Sequence, residues 1–97
     1  GKIMDDILST HPAIDIAAVI GIPDITRPGS ERIKAYVQVK DQKSEALTKR
    51  DILDYLENKV PPYAIPTVIE FRSSLPLTEL MKIDKQALRN EFSLVNI

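Results

Sequence analysis

The sequence predicts an α+β domain: a small three-stranded mixed sheet with helices packed on it. Three observations carry that prediction. A nearly continuous apolar, β-branched run extends from Ile14 to Ile22, and a second stretch, Arg32 to Lys40, alternates apolar and polar residues. Between and after the strands, apolar residues recur at the three- and four-residue spacing of amphipathic helices. The 97 residues match one domain by the prior of roughly 100 to 200 residues per domain, so residues 1–97 are read as a single unit. A hydrophobic fraction of 43% beside 28% charged residues excludes a disordered chain. The 13 basic and 14 acidic residues nearly cancel, so no global field draws the protein to nucleic acid or anionic lipid. With no cysteine, disulfides, thiolate chemistry and Cys-based metal sites are excluded, and a cytoplasmic setting is compatible.

The elements follow in order. Ile3, Met4, Ile7 and Leu8 share a helical face, and "THP" closes that helix. The chain starts almost inside this helix, which is expected of a piece of a longer polypeptide. Ile14 to Ile22 then reads as a central strand covered on both faces. After the polar loop "PDITRPGSE", Ile33, Ala35, Val37 and Val39 line one face of a half-exposed second strand, with Lys34, Tyr36 and Gln38 on the other. The short Pro- and Gly-containing loop makes the two strands an antiparallel pair. Thr48 and Asp51 form a capping-box pattern ahead of Ile52, Leu53, Leu56 and Val60, and "PPYAIP" stops this second helix. Thr67 to Phe71 reads as a third strand. Finally, Asp84 caps a last helix, with Ile83 and Leu88 at hydrophobic-staple positions and Phe92 one turn further along its apolar side. The expected core is Ile16, Ala18, Ile20, Val37 and Ile69, covered by Leu53, Leu56 and Leu88, with Lys34 on an open polar face.

No familiar catalytic set is complete in these residues. His11 in "THPA" reads as a local cap or a solvated side chain, and Asp5 and Asp6 as a solvated helix face. "RPGSER" has one glycine and no following Lys-Ser or Lys-Thr, so it is not a phosphate loop. The N-terminus lacks the apolar region of a signal peptide, and no run reaches the roughly 18 apolar residues of a transmembrane helix. On residues alone, an interaction module is the reading that remains.

The whole pattern, however, resembles the C-terminal domain of adenylate-forming enzymes: acyl-CoA and aryl-CoA synthetases, nonribosomal peptide synthetase adenylation domains and luciferases. Five pieces stand in family order. His11-Pro12-Ala13-Ile14 is similar to "HPAV", and Ala17 to Asp24, "AAVIGIPD", to "AAVVGVPD". Lys34 to Lys40, "KAYVQVK", is similar to "KAFVVLK", after a loop two residues longer than the common version. Val60 to Pro66, "VPPYAIP", matches the "L-x-PYKVP" turn, and Val68-Ile69-Glu70-Phe71 with Leu75-Pro76 matches "VEFVDELP". The closing motif "LPxTxxGKIxRxxLR" then places its lysine four residues after Thr78, on Lys82.

The resemblance implies the C-terminal lid of a larger ligase that activates a carboxylic acid with ATP and Mg2+ and passes the acyl group to a thiol, usually of coenzyme A. It implies that Lys82 is catalytic, contacting substrate carboxylate and nucleotide in the active site of a preceding N-terminal adenylation domain, which supplies most of the ATP and Mg2+ binding. Lys85 falls at a basic position of the family and reads as a surface or packing residue. The lid would rotate between the two half-reactions. One departure stands out: the motif's glycine is Met81, so the loop is expected to follow another path or an ordinary backbone conformation, and the change marks either a subfamily variant with the Met side chain packed beneath the loop or a domain whose catalytic role has weakened. The alternative is a stand-alone binding or dimerisation module with the same fold and no catalysis.

Overall fold

A computed structural model describes residues 2–40 and 47–95. Its elements are α1 (Lys2–Ser9), β1 (Ile14–Pro23), β2 (Glu31–Val39), α2 (Lys49–Leu56), β3 (Val68–Arg72) and α3 (Lys85–Val95), with a 3-10 turn over Pro62–Ala64. That is the order the sequence predicts. Local chemistry explains several boundaries. At α2, Thr48 Oγ1 accepts the Asp51 N–H at 3.2 Å while Asp51 Oδ2 accepts the Thr48 N–H at 2.8 Å, which satisfies two donors the helix start would otherwise leave open. In the β1–β2 loop, Asp24 Oδ1 accepts from both the amide and the hydroxyl of Thr26, and Gly29 takes φ +88°, a left-handed turn that suits glycine.

The sheet order is β1-β2-β3, with β1 and β2 antiparallel and β2 and β3 parallel across the α2 connection. The mixed sheet and the antiparallel pair are as expected, but the centre is not. β2, not β1, is the middle strand. β1 is an edge strand that is nonetheless covered on both faces, with Ala17, Ala18, Val19 and Ile20 all buried. Its outward Val19 N–H is satisfied by Asp5 Oδ1 of α1 at 2.8 Å, which occupies one of the donors the edge would otherwise offer to another strand.

Two apolar clusters, one on each face of the sheet, replace the single core. On one face, Met4 and Leu8 of α1 and Ile52 and Leu56 of α2 close over Ala17, Val19, Ala35 and Val37. On the other, Leu88 of α3 and Leu75 pack on Ala18, Ile20, Ile22 and Tyr36. A bulge between Ile14 and Ile16 turns Ile14 to the first face and leaves Ile16 beside the second. The expected core therefore mixed two faces: Val37 and Ile20 point to opposite sides. Ala18, Ile20, Val37, Leu56 and Leu88 are buried as expected, whereas Ile16, Ile69 and Leu53 are half-buried and Ile52 takes the central place on α2. The expectation for Phe92 concerns a side chain outside those described.

The half-exposed reading of β2 is also corrected. Ala35, Tyr36 and Val37 are all buried because α3 covers the face that would otherwise be open. Lys34 shares that covered face: its side chain is 11% exposed, 3.1 Å from Glu70 of β3 and 4.6 Å from the centre of the Tyr36 ring. In α1, Ile3 points to solvent rather than to the core.

Candidate functional site

Lys82 lies at the tip of a β-hairpin that links β3 to α3. Leu77 and Ile83 form an antiparallel bridge. Beyond it, the Thr78 N–H donates to the Lys82 carbonyl at 2.7 Å and the Met81 N–H donates to the Thr78 carbonyl at 2.9 Å. These two bonds define a three-residue loop, Glu79-Leu80-Met81, of the kind that ends in a left-handed residue. Met81 supplies it, at φ +62°, and is the one non-glycine residue with positive φ among those described. The expectation is corrected here, since the loop keeps the conformation glycine would take although the residue is methionine. Left-handed backbone costs a non-glycine residue about 1–2 kcal/mol, and the hairpin bonds outweigh it. Nor is the Met side chain packed beneath the loop. Met81 is 74% exposed and its neighbour Leu80 is 80% exposed.

The base of the hairpin is clamped. The Asp84 N–H donates to the Pro76 carbonyl at 2.9 Å, and Asp84 Oδ1 accepts the Ala87 N–H at 3.0 Å, so one residue ends the hairpin and caps α3. Ile83 packs with Leu88 and Leu75 on the second apolar cluster, as the staple predicts. Gln38 of β2 holds the entry, its Oε1 accepting the Leu75 N–H at 2.9 Å while its Nε2 donates to Asp15 at 3.1 Å. Sequence reasoning assigned Gln38 only to a polar face, because nothing in its spacing signals a bond across 37 positions.

The two lysines of the motif have opposite surroundings. Lys82 is exposed, and among the described residues its ammonium has no ion-pair or hydrogen-bond partner. Lys85 is mostly covered, and its Nζ lies 2.7 Å from Asp5 Oδ2. Asp5 thus receives the Val19 N–H on one oxygen and Lys85 on the other, which ties α1, β1 and α3 together. Asp5 is corrected from solvated surface to structural link, while Asp6 is exposed as expected. His11 accepts the Ala13 N–H on Nδ1 at 3.0 Å and meets Tyr55 edge-on, so its ring stabilises the turn after α1 and does not cap the helix carbonyls.

A second set of charges fixes α3 from its other end. Arg72 donates to Glu70 at 3.0 Å and to Glu91 of α3 at 3.1 Å. Burial alone would raise the Glu70 carboxyl, but hydrogen bonds from Lys34 and Arg72 outweigh it and hold the group below its ordinary value. Lys34 is likewise opposed by burial, and its bonds to Glu70 and Tyr36 raise it. Among the described residues no three His, Cys, Asp or Glu side chains converge as metal ligands. No helix among them is long and apolar enough to cross a membrane.

Comparison with known proteins gives a consistent result. The family model described as AMP-binding enzyme C-terminal domain matches residues 4–82, ending on Lys82. A mitochondrial malonate–CoA ligase of Homo sapiens is 35% identical over 85 residues, which are 88% of this chain and 14% of that protein. A long-chain-fatty-acid–CoA ligase of Escherichia coli is 28% identical over 88 residues, 91% of this chain and 15% of the relative. Among solved structures, an acyl-CoA synthetase of Brucella canis superposes with a TM-score of 0.83 at 28% identity, covering 96% of this chain and 17% of its own. The chain therefore spans only about a sixth of the length of the proteins it matches.

Proposed function

The chain belongs to the AMP-binding enzyme C-terminal domain family, and on that premise we propose that it is the lid of an ATP-dependent acid–thiol ligase of acyl-CoA synthetase type, with Lys82 as its catalytic residue. The observation that carries the reading is the contrast at the hairpin. Lys82 presents a solvent-facing ammonium on a loop clamped at both sides of its base, whereas Lys85, Asp84 and Gln38 beside it are engaged in contacts within the domain. A preorganised charge of this kind stabilises charge that develops in a transition state.

In the first half-reaction, a carboxylate oxygen of the acid attacks the α-phosphorus of ATP; a new P–O bond forms and the bond to pyrophosphate breaks. Lys82 offsets the negative charge that gathers on the carboxylate and the phosphoryl oxygens. In the second, a thiol sulfur, with coenzyme A the proposed acceptor, attacks the acyl carbon of acyl-AMP, loses its proton and expels AMP. The lid rotates between the two steps, and the preceding adenylation domain of the same polypeptide binds ATP and the acid. Mg2+, when bound there, would screen the phosphates; the described residues of this chain offer it no ligand set, so no step here runs through it. We place the enzyme in the cytoplasm, with the mitochondrion of the human relative as the other compartment to test.

The test is Lys82→Ala in the full-length polypeptide. Acid-dependent exchange of pyrophosphate into ATP should fall about a hundredfold to a thousandfold, the usual loss for one such donor. Transfer of the acyl group from synthetic acyl-AMP should continue near the wild-type rate. Equal loss in both steps would mean a folding defect or a static lid, and no loss in either would mean that Lys82 is a surface residue and not catalytic.

A further inference from the structure

Met81 breaks two local rules at one position. Its backbone is left-handed, where glycine would be less strained, and its side chain stands 74% exposed beside Leu80 at 80%. Glycine would relieve both faults at once. Strain at an exposed loop residue persists when the side chain has work outside the domain, and apolar side chains placed together on a rigid tip are stabilised when something covers them. The tip is rigid here: the loop is closed by the Thr78–Lys82 and Met81–Thr78 bonds, and its base by Pro76–Asp84. Because Met81 immediately precedes Lys82, its exposed side chain lies beside whatever surface receives Lys82.

We propose that Met81, helped by Leu80, is a positioning residue: an apolar anchor that seats the Lys82 hairpin against an apolar wall of the preceding domain during adenylation. This rests on the lid reading above. The occupant of the apolar tip is protein, a part of the same polypeptide outside these residues. That choice follows from the lengths of the matched ligases, of which this chain covers 14% and 15%, and from the tip's continuity with Lys82. Met81 touches no reacting atom in this account; it acts through Lys82. Its flexible thioether side chain fills irregular apolar surface at small geometric demand.

Three variants separate backbone from side chain. Met81→Gly removes both strain and anchor, Met81→Ala keeps the strain and removes the anchor, and Met81→Leu keeps both. In urea unfolding of the 97-residue chain, Met81→Gly should raise the midpoint while Met81→Ala leaves it near wild type. In the full-length polypeptide, both Gly and Ala variants should lose about tenfold in adenylation kcat, the equivalent of part of one buried Met side chain. Transfer from acyl-AMP should be unchanged, and Met81→Leu should retain adenylation. A variant that is more stable yet slower in one half-reaction is a signature that a merely structural residue would not give. The proposal is overturned if Met81→Gly adenylates at the wild-type rate while Lys82→Ala does not, an outcome that leaves the lid reading intact. It is overturned equally if the loss grows with the acyl length of the acid, since the anchor would then rest on substrate and not on protein. If Lys82→Ala itself has no effect, the lid reading falls first, and Met81 with it.

Discussion

The sheet body and the Lys82 hairpin are built from neighbouring residues under different rules. In the body, most apolar side chains are inside, with Ile3, Ile25, Tyr63 and Phe71 as exposed exceptions on helix, loops and strand, and no buried side-chain nitrogen or oxygen lacks a partner among the described residues. Even its covered charges are matched, Lys85 by Asp5 and Lys34 by Glu70. The hairpin reverses each habit within a few positions. It exposes Leu80 and Met81, forces Met81 into a left-handed backbone and leaves the Lys82 ammonium facing solvent. The difference teaches that the body is organised for its own stability, and it is what is expected of a tip that meets another surface, as proposed above.

That contrast can be broken most directly by truncating one leucine from each region. Leu88→Ala, at a fully buried position on α3, should destabilise the 97-residue chain by about 2–5 kcal/mol in urea unfolding. Leu80→Ala should change stability by no more than about 0.5 kcal/mol, as exposed positions usually do. Similar losses at both positions would mean that the tip belongs to the core after all.

The link from α3 to the sheet edge is the next largest effect. Asp5→Ala leaves the Val19 N–H and the Lys85 ammonium without their shared acceptor, and should cost about 1–3 kcal/mol of thermal stability. Hydrogen exchange at the Val19 amide should quicken more than at residues of β2. If that amide stays protected, Asp5 is not what guards the edge strand.

The smallest effect concerns the charges over β2 and β3. Lys34→Ala should cost about 1 kcal/mol, less than a buried pair would, because its partner Glu70 is 40% exposed and water screens the interaction. The acid side of this pair has a defined sign. Glu70 titrates below its ordinary 4.5 in the folded chain, so its contribution is complete above pH 4.5 and fades as pH falls through the lower folded value. Glu70→Gln should flatten that part of the acid unfolding profile; an unchanged profile would show that the carboxylate's bonds to Lys34 and Arg72 do not persist in solution.

The sequence by itself determined the element order, the capping box of α2, the antiparallel pairing of β1 with β2 and the place of Lys82 between strand and helix. Each rests on neighbours in the chain: Thr48 with Asp51, the short loop after Pro23, the Asp84 cap beside the Ile83–Leu88 staple. Tertiary structure alone decided which strand is central, because an apolar run such as Ile14–Ile22 records that both faces are covered and not whether another strand lies beyond it. It also decided the fate of β2's second face, where α3 buries Tyr36 and encloses Lys34 at positions whose alternation reads as solvent-facing. Asp5 looks like solvated surface until α3 brings Lys85 within 2.7 Å of it across 80 positions of chain. Met81 is the sharpest case, because local propensity argues against a left-handed methionine, and only the hydrogen bonds that close the hairpin around it hold the residue there.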